Sequence, residues 1–208
     1  MKKEFRKKII ELRKGKDKDF IKSNSDIITQ KLLDLDYIKN AKTIMLYLDF
    51  NNEVMTNDLV IKLINLGKKI ASPVTILSEK KLIPYQITDL KNEVQYSTYN
   101  IREPKPECCS IVDINDIDVI IVPAVAYDKD CYRLGYGGGF YDRFLKNINS
   151  NTITIGVAFD LQVFDKIPKE AHDAQLDYIM TESRILKSNK SSWINQELLF
   201  LFFLFRCV

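Results

Sequence analysis

The sequence predicts an α/β protein with a three-layer α/β/α fold around a mainly parallel central sheet. Short apolar runs of strand length recur along the chain, as expected for strands that are buried on both faces. Segments with apolar residues at helical spacing alternate with these runs, which is typical of an α/β layer fold. The 208 residues, 46% hydrophobic and 28% charged, fit one globular domain at 1–186.

The helices and strands are predicted from these patterns in chain order. A basic amphipathic helix within the first 22 residues has Phe5, Ile9 and Leu12 on its apolar side. A second helix at 25–35 follows, with Ser23 or Ser25 as its cap. The other predicted elements are a strand at 43–48, a helix at about 57–66, strands at 69–74 and 82–87, a mostly irregular segment at 89–110 with one short strand, a strand at 119–126, a helix at 140–148, and strands at 152–158 and 178–181.

The stretch 133–143 is the strongest functional signal. Four of the seven glycines of the chain, Gly135, Gly137, Gly138 and Gly139, fall within five positions. Glycine is favoured where the backbone takes positive φ or where a ligand approaches it closely. A strand, a glycine-rich loop and a helix in this order predict a phosphate site, because free N–H groups converge there. The spelling fits neither the P-loop nor the dinucleotide fingerprint, and a simple glycine turn is the alternative.

Charged and aromatic side chains around this stretch suggest its chemistry. Arg133 and Arg143 can neutralise phosphate, and Asp142 and Asp173 are candidate Mg²⁺ ligands. Asp142 is equally compatible with an ordinary first-turn residue. The aromatic rings at 136, 140 and 141 suit stacking on a flat ligand or packing beneath the loop.

Polar loops are expected where strands end, at 49–53, 127–142 and 159–177, because ligands of parallel sheets bind there. Glu53 can accept hydrogen bonds from N–H groups of a heterocyclic ligand, although most surface glutamates have no such role. His172 is the single histidine, and no Gly-x-Ser-x-Gly elbow is present, so covalent hydrolysis is disfavoured.

Composition restricts the class of protein further. The first 22 residues hold ten Lys or Arg against four acids, and their helical spacing favours a docked helix over a nucleic-acid arm. The four cysteines form no zinc pattern, and the start lacks a signal region, so a reducing cytoplasmic setting is expected. The apolar run at 198–205, within a tail at 187–208 of unknown role, is too short for a membrane span.

Several motifs together resemble the 5-formyltetrahydrofolate cyclo-ligase family. The central one is Val-Pro-Ala-Val-Ala-Tyr-Asp at 122–128 followed by Arg-Leu-Gly-Tyr-Gly-Gly-Gly-Phe-Tyr-Asp-Arg-Phe-Leu at 133–145. Four further pieces agree in order: Lys2 with Arg6, Glu-Val-Met-Thr at 53–56, Gly-Val-Ala-Phe-Asp-Leu-Gln at 156–162, and the run at 167–182. The resemblance covers residues 1–186.

The resemblance implies an enzyme that converts 5-formyltetrahydrofolate to 5,10-methenyltetrahydrofolate with ATP and Mg²⁺, releasing ADP and phosphate. A monomer, without nucleic acid and with a folate that can be polyglutamylated, is expected. By similarity, the nucleotide would contact Lys2, Lys3, Arg6, Arg133, Leu134, Gly135, Tyr136, Gly137, Gly138, Gly139, Phe140 and Tyr141. The folate would contact Arg6, Leu48, Glu53, Tyr136, Gly137, Gly138, Gly139 and Phe140. Mg²⁺ would bind Asp142 and Asp173, and Arg133 and Tyr141 are the predicted catalytic residues.

One departure and two alternative functions accompany this resemblance. Cys131 stands where the family motif has glycine, which predicts a changed or strained turn before Arg133. A phosphosugar isomerase or CoA-transferase-like enzyme on the same fold would need a catalytic carboxylate but no ATP. A nucleotide-binding module without turnover is the alternative from another class.

Overall fold

A computed structural model describes residues 2–97, 100–170 and 173–189. Its α-helices are α1 (Lys2–Lys14), α2 (Lys18–Asp34), α3 (Asp36–Asn40), α4 (Asn57–Asn65) and α5 (Phe140–Leu145). Its strands are β1 (Thr43–Leu46), β2 (Lys69–Ile76), β3 (Lys81–Ile87), β4 (Val94–Tyr96), β5 (Arg102–Pro104), β6 (Val119–Val122), β7 (Ala126–Asp128), β8 (Arg133–Leu134), β9 (Ile153–Val157), β10 (Val163–Phe164), β11 (Tyr178–Met180) and β12 (Ile185–Lys187). Single 3-10 turns lie at Ile114–Asp116 and Asp160–Gln162.

The central sheet has seven strands in the order β12-β11-β9-β6-β1-β2-β3. The five inner strands are parallel to one another, and the edge strands β3 and β12 are antiparallel to their neighbours. Parallel neighbours need crossover connections, and α4 supplies the one between β1 and β2. The prediction of an α/β fold with a mainly parallel sheet is therefore confirmed.

Alternate residues of the central strands enter two different cores. In β1, Ile44 and Leu46 pack with the apolar faces of α2, α3 and α4 on one side of the sheet. Met45 points to the other side, where Phe144 of α5 belongs to the same cluster. All four residues of β1 are buried, which explains why the strand has a continuous apolar sequence.

A second, smaller sheet packs against helix α1. Strands β10, β7 and β8 form it in that order, and Ile9 of α1 is buried with Val125, Ala126 and Leu134 in a third core cluster. Phe5 packs edge-on against Phe164, with 5.1 Å between the ring centroids. The predicted docking of the basic helix is confirmed. Leu12, however, is 44% exposed, and Arg13 is buried instead.

Helix α2 begins earlier than predicted. It starts at Lys18 because the side chain of Asp17 accepts a hydrogen bond from the N–H of Phe20 at 2.7 Å, which caps the helix. The predicted cap Ser25 lies inside the helix, where its hydroxyl donates to the carbonyl of Ile21. The predicted start and both predicted caps are therefore wrong.

Two strand predictions also change. The predicted strand at 119–126 ends at Val122, because Pro123 has no N–H to donate. The next strand, β7, begins at Ala126 and belongs to the smaller sheet. The segment 89–110 contains the antiparallel pair of β4 and β5, one strand more than expected. None of the helices in the described ranges is long and apolar enough to cross a bilayer. The predicted apolar run at 198–205 lies outside the described residues.

Candidate active site

The glycine-rich loop, residues 135–139, connects β8 to α5. Gly137 and Gly139 have φ values of 110° and 67°, in the region that glycine adopts without strain. Within the described residues, the backbone N–H groups of 136–139 donate no hydrogen bond to the protein. The loop thus offers unsatisfied donors to an anion. Helix α5 has only six residues and ends at Leu145, short of the predicted 148, so its dipole adds little.

Helix α1 lies beside this loop and brings cations to it. The Arg6 Nε donates to the carbonyl of Gly135 at 2.7 Å, and a Cβ on Gly137 would lie 3.5 Å from the Arg6 guanidinium carbon. Lys2 Nζ lies 2.9 Å from Asp173 Oδ2 and 3.1 Å from Glu170 Oε1. Lys3 is exposed on the same helix. The structure therefore brings Arg6 to the loop and Lys2 to Asp173.

Arg133 occupies the base of the loop. Its side chain is 3% exposed, and its Nη2 donates to Asp142 Oδ1 at 2.7 Å. The guanidinium carbon lies 5.4 Å from the centroid of the Tyr141 ring. The Tyr141 hydroxyl and the Arg133 Nε are buried without a hydrogen-bond partner in the described residues. Burial raises the pKa of Tyr141, so its hydroxyl stays protonated and able to donate.

Glu53 follows β1 at the carboxyl edge of the sheet and is 6% exposed. Its Oε2 accepts from the N–H of Phe50 at 3.1 Å, and its Oε1 accepts from the Tyr136 hydroxyl at 2.7 Å. Burial raises the pKa of Glu53 to about 7, although the nearby Arg13 guanidinium and the Tyr136 hydrogen bond act in the opposite direction. Glu53 and the glycine-rich loop thus face each other through Tyr136.

The other predicted site residues occupy different environments. Leu48 is buried, 3% exposed, in the core on the α2–α4 side, and Leu134 is buried beneath α1. The Phe140 ring lies against Gly138, where an added Cβ would come within 2.5 Å of it. Arg143 donates to the carbonyl of Gly138 at 2.9 Å, so it braces the loop from the outside. His172 lies outside the described residues.

The turn before the loop contains the expected backbone strain. Cys131 has φ of 66°, a left-handed conformation that costs a residue with a Cβ about 1–2 kcal/mol. The turn is closed by Asp128, whose Oδ1 accepts from the N–H groups of Asp130 and Tyr132 at 3.1 and 3.0 Å. The predicted strain at Cys131 is confirmed, and it lies two residues before Arg133.

Arg13 is the residue that sequence reasoning missed at this site. It is 1% exposed, and its Nη2 donates to the Tyr136 hydroxyl at 2.6 Å. Lys2, Arg6, Ile9 and Arg13 recur at spacings of four, three and four residues, which places them along one face of α1. A basic residue on the buried stripe was the signal that could have identified it.

Comparisons with known proteins agree with one another. The sequence profile of the 5-formyltetrahydrofolate cyclo-ligase family matches residues 1–182. A 5-formyltetrahydrofolate cyclo-ligase from Haemophilus influenzae is 33% identical over 150 residues, covering 72% of this chain and 80% of the relative. The enzyme of the same name from Escherichia coli strain K12 is 33% identical over 153 residues, covering 70% and 80%. The solution structure of a 5,10-methenyltetrahydrofolate synthetase from Aquifex aeolicus superposes with a TM-score of 0.80 at 28% identity, covering 94% of this chain and 96% of that one.

Proposed function

The chain belongs to the 5-formyltetrahydrofolate cyclo-ligase family, and we propose that its glycine-rich loop, α1 and Glu53 together form the active site. Family membership gives the chain the conversion of 5-formyltetrahydrofolate to 5,10-methenyltetrahydrofolate, with use of ATP. In this proposal the loop and the cations of α1 hold the triphosphate. Glu53 and Tyr136 hold the pterin end of the folate.

The observation that carries the proposal is the convergence of opposite charges on the loop. The N–H groups at 136–139 and the guanidinium of Arg6 beside Gly135 and Gly137 supply the donors and positive charge that a polyphosphate needs. Glu53 is a buried acceptor joined to the loop by the Tyr136 hydroxyl, which suits the ring N–H groups of a pterin. The proposal therefore assigns the triphosphate to the loop and Arg6, and the pterin to Glu53.

The reaction requires mainly that the protein position the two substrates and neutralise the charge on the phosphates. The formyl oxygen attacks the γ-phosphate and the bond to ADP breaks; N10 then attacks the formyl carbon, loses its proton, and phosphate leaves. A loose phosphoryl transition state is stabilised mainly by aligned donors. Arg133 and Tyr141 are proposed to act there, since the Arg133 Nε and the Tyr141 hydroxyl are buried donors without a protein acceptor in the described residues.

Mg²⁺ is proposed to bind at Asp142, with Asp173 as the second predicted ligand. No group of three or more metal-ligating side chains occurs in the described part of the chain. A hard cation held by one or two carboxylates and by phosphate oxygens fits this donor set. Both carboxylates already pair with protein cations, Asp142 with Arg133 and Asp173 with Lys2. Bound Mg²⁺ would supply charge neutralisation to the phosphates.

Family membership disfavours the isomerase and transferase alternatives and the non-catalytic module. The cytoplasmic location, the monomeric state and the binding of polyglutamylated folate stay predictions. The test of the proposed function is turnover by the purified chain with ATP, Mg²⁺ and 5-formyltetrahydrofolate. Near-ultraviolet absorbance of the methenyl product and release of ADP are expected together. Nucleotide binding without either product would refute the assignment.

A pair of variants on α1 tests the site itself. Arg6→Met is expected to raise the KM for ATP about tenfold, because a charge-assisted hydrogen bond contributes about 1.5–3 kcal/mol. Lys7→Met is the matched control, since the Lys7 side chain is 79% exposed on the same helix. Equal ATP parameters for the two variants would show that α1 does not serve the nucleotide.

A further inference from the structure

Three separate segments meet in one buried chain of hydrogen bonds. Arg13 of α1 donates to the Tyr136 hydroxyl of the glycine-rich loop at 2.6 Å, and that hydroxyl lies 2.7 Å from Glu53 Oε1 in the loop after β1. The Arg13 Nη1 lies 4.0 Å from the same carboxylate oxygen. Arg13 and Glu53 are 1% and 6% exposed, so water screens their interaction little.

The chemistry of arginine fixes the direction of these hydrogen bonds. A guanidinium group has donors only, so Tyr136 must accept from Arg13. The single hydroxyl proton of Tyr136 is then free to be donated to Glu53. Arg13 of α1 therefore orients the Tyr136 hydroxyl that donates to Glu53 Oε1. An uncharged side chain at position 13 would remove both this orientation and the nearby positive charge.

Several other groups act on Glu53 from the elements around it. The Phe50 N–H donates to Oε2. Asp49 of the same loop acts against ionisation of Glu53. Burial raises the pKa of the Tyr47, Tyr127 and Tyr141 hydroxyls most; the Arg133 guanidinium lowers the pKa of Tyr127 and Tyr141, and the charge of Glu53 raises the pKa of all three, so these hydroxyls stay neutral. Arg13 is the cation that favours the charged form of Glu53.

We propose that Arg13 is a positioning residue for the folate reaction, which acts through Tyr136 to keep Glu53 an ionised, correctly oriented acceptor for the pterin N–H groups. This inference rests on the proposed function of Glu53 as the pterin ligand. Arg13 touches neither substrate in this assignment. Its effect should therefore fall on folate binding and on the pH dependence, and not on nucleotide binding.

The test is the pH profile of kcat/KM for 5-formyltetrahydrofolate at saturating ATP. In the wild-type chain the value should rise with pH through an inflection near 7, because burial raises the pKa of Glu53 to about 7. Arg13→Met should move the inflection upward by about one pH unit or more. At pH 7 kcat/KM should then fall about fivefold or more, mainly through KM, and should recover at alkaline pH.

Three further variants separate positioning from mere stability. Lys14→Met is the matched control, because Lys14 is the exposed neighbour of Arg13 on α1, and it should keep the wild-type profile. Tyr136→Phe removes the hydroxyl between Arg13 and Glu53 and should also move the inflection upward. Arg13→Lys keeps a donor with positive charge and should restore part of the wild-type profile. ATP binding measured without folate should stay within about twofold of wild type for Arg13→Met.

Unchanged inflections in Arg13→Met and Tyr136→Phe would overturn the proposal. A loss that is equal at every pH and equal for ATP binding would overturn it too, since that is what a damaged helix gives. If Arg13→Met does not fold, the pH profile of Tyr136→Phe provides the test of the proposal. Carbon-13 NMR titration of the Glu53 carboxyl, assigned with Glu53→Gln, needs no turnover. If the Glu53 pKa is higher in Arg13→Met than in the wild type but the wild-type protein shows no turnover, only the proposed function is refuted. If the Glu53 pKa is the same in Arg13→Met and in the wild type, the positioning role of Arg13 is refuted.

Discussion

The pH dependence of folding stability gives the most direct physical check of the buried carboxyl at position 53. Glu53 is 6% exposed, and burial raises its pKa from 4.5 to about 7. The folded protein therefore binds this proton more tightly than the unfolded chain does. Protonation of Glu53 stabilises the fold fully below about pH 4.5, and this contribution is lost as the pH rises through about 7.

The size of the effect follows from the two pKa values. One pKa unit corresponds to about 1.4 kcal/mol, so the difference between 4.5 and about 7 corresponds to about 3 kcal/mol. Glu53→Gln keeps the shape of the side chain and removes the titration. The wild-type free energy of unfolding, relative to that of the variant, should fall by about 3 kcal/mol between pH 4.5 and pH 8.

Urea denaturation at several pH values measures this difference, provided that the slope with denaturant is the same for both proteins. Any constant cost of the glutamine cancels, because only the change with pH is compared. Parallel stability curves of the two proteins would refute a raised pKa at Glu53. A wild-type curve that rises relative to the variant over this range would show that Arg13 outweighs burial.

Three other predictions concern the proposed metal ligand in α5, the strained turn before β8 and the cap of α2. Asp142 is the proposed Mg²⁺ ligand, so Asp142→Asn should raise the Mg²⁺ concentration that gives half-maximal rate, because a neutral amide binds the cation less well; an identical metal titration would refute this assignment. Cys131→Gly should be more stable than Cys131→Ala by about 1 kcal/mol in thermal or urea unfolding, since both lose the sulfur and only glycine accepts φ of 66° without strain. Asp17→Ala should lower the free energy of unfolding by about 1 kcal/mol through loss of the hydrogen bond to Phe20, and equal stability would show that the cap contributes nothing.

The central sheet could be predicted from the sequence because its strands are buried on both faces. The run Val119–Val122 must be apolar at every position in that environment, and it is. The two-residue strands β8 and β10 could not be predicted in this way. They exist only through pairing with β7, to which each is hydrogen bonded, and two residues carry no periodicity.

The local geometry of the candidate site was predictable where the backbone conformation restricts the residue type, and less predictable where tertiary contacts determine the environment of a side chain. Gly137 and Gly139 reveal positive φ through their identity. The residue type of Arg13 carries no such information, and in the sequence only its position on the buried stripe of α1 indicates that the guanidinium is buried. Tyr136 and Glu53 lie 123 and 40 residues from it in sequence, and tertiary folding alone brings them together.

The core cluster under α1 is separate from the two main cores, and this separation affects local unfolding. Ile9 packs with residues of the minor sheet, whereas the main cores lie on the two faces of the seven-stranded sheet. Amide hydrogens of α1 should therefore exchange with solvent through sub-global opening, sooner than those of β1 and β6. The nucleotide that we propose to bind between α1 and the glycine-rich loop should slow that exchange selectively, so amide exchange of α1 should also measure occupancy of the proposed site.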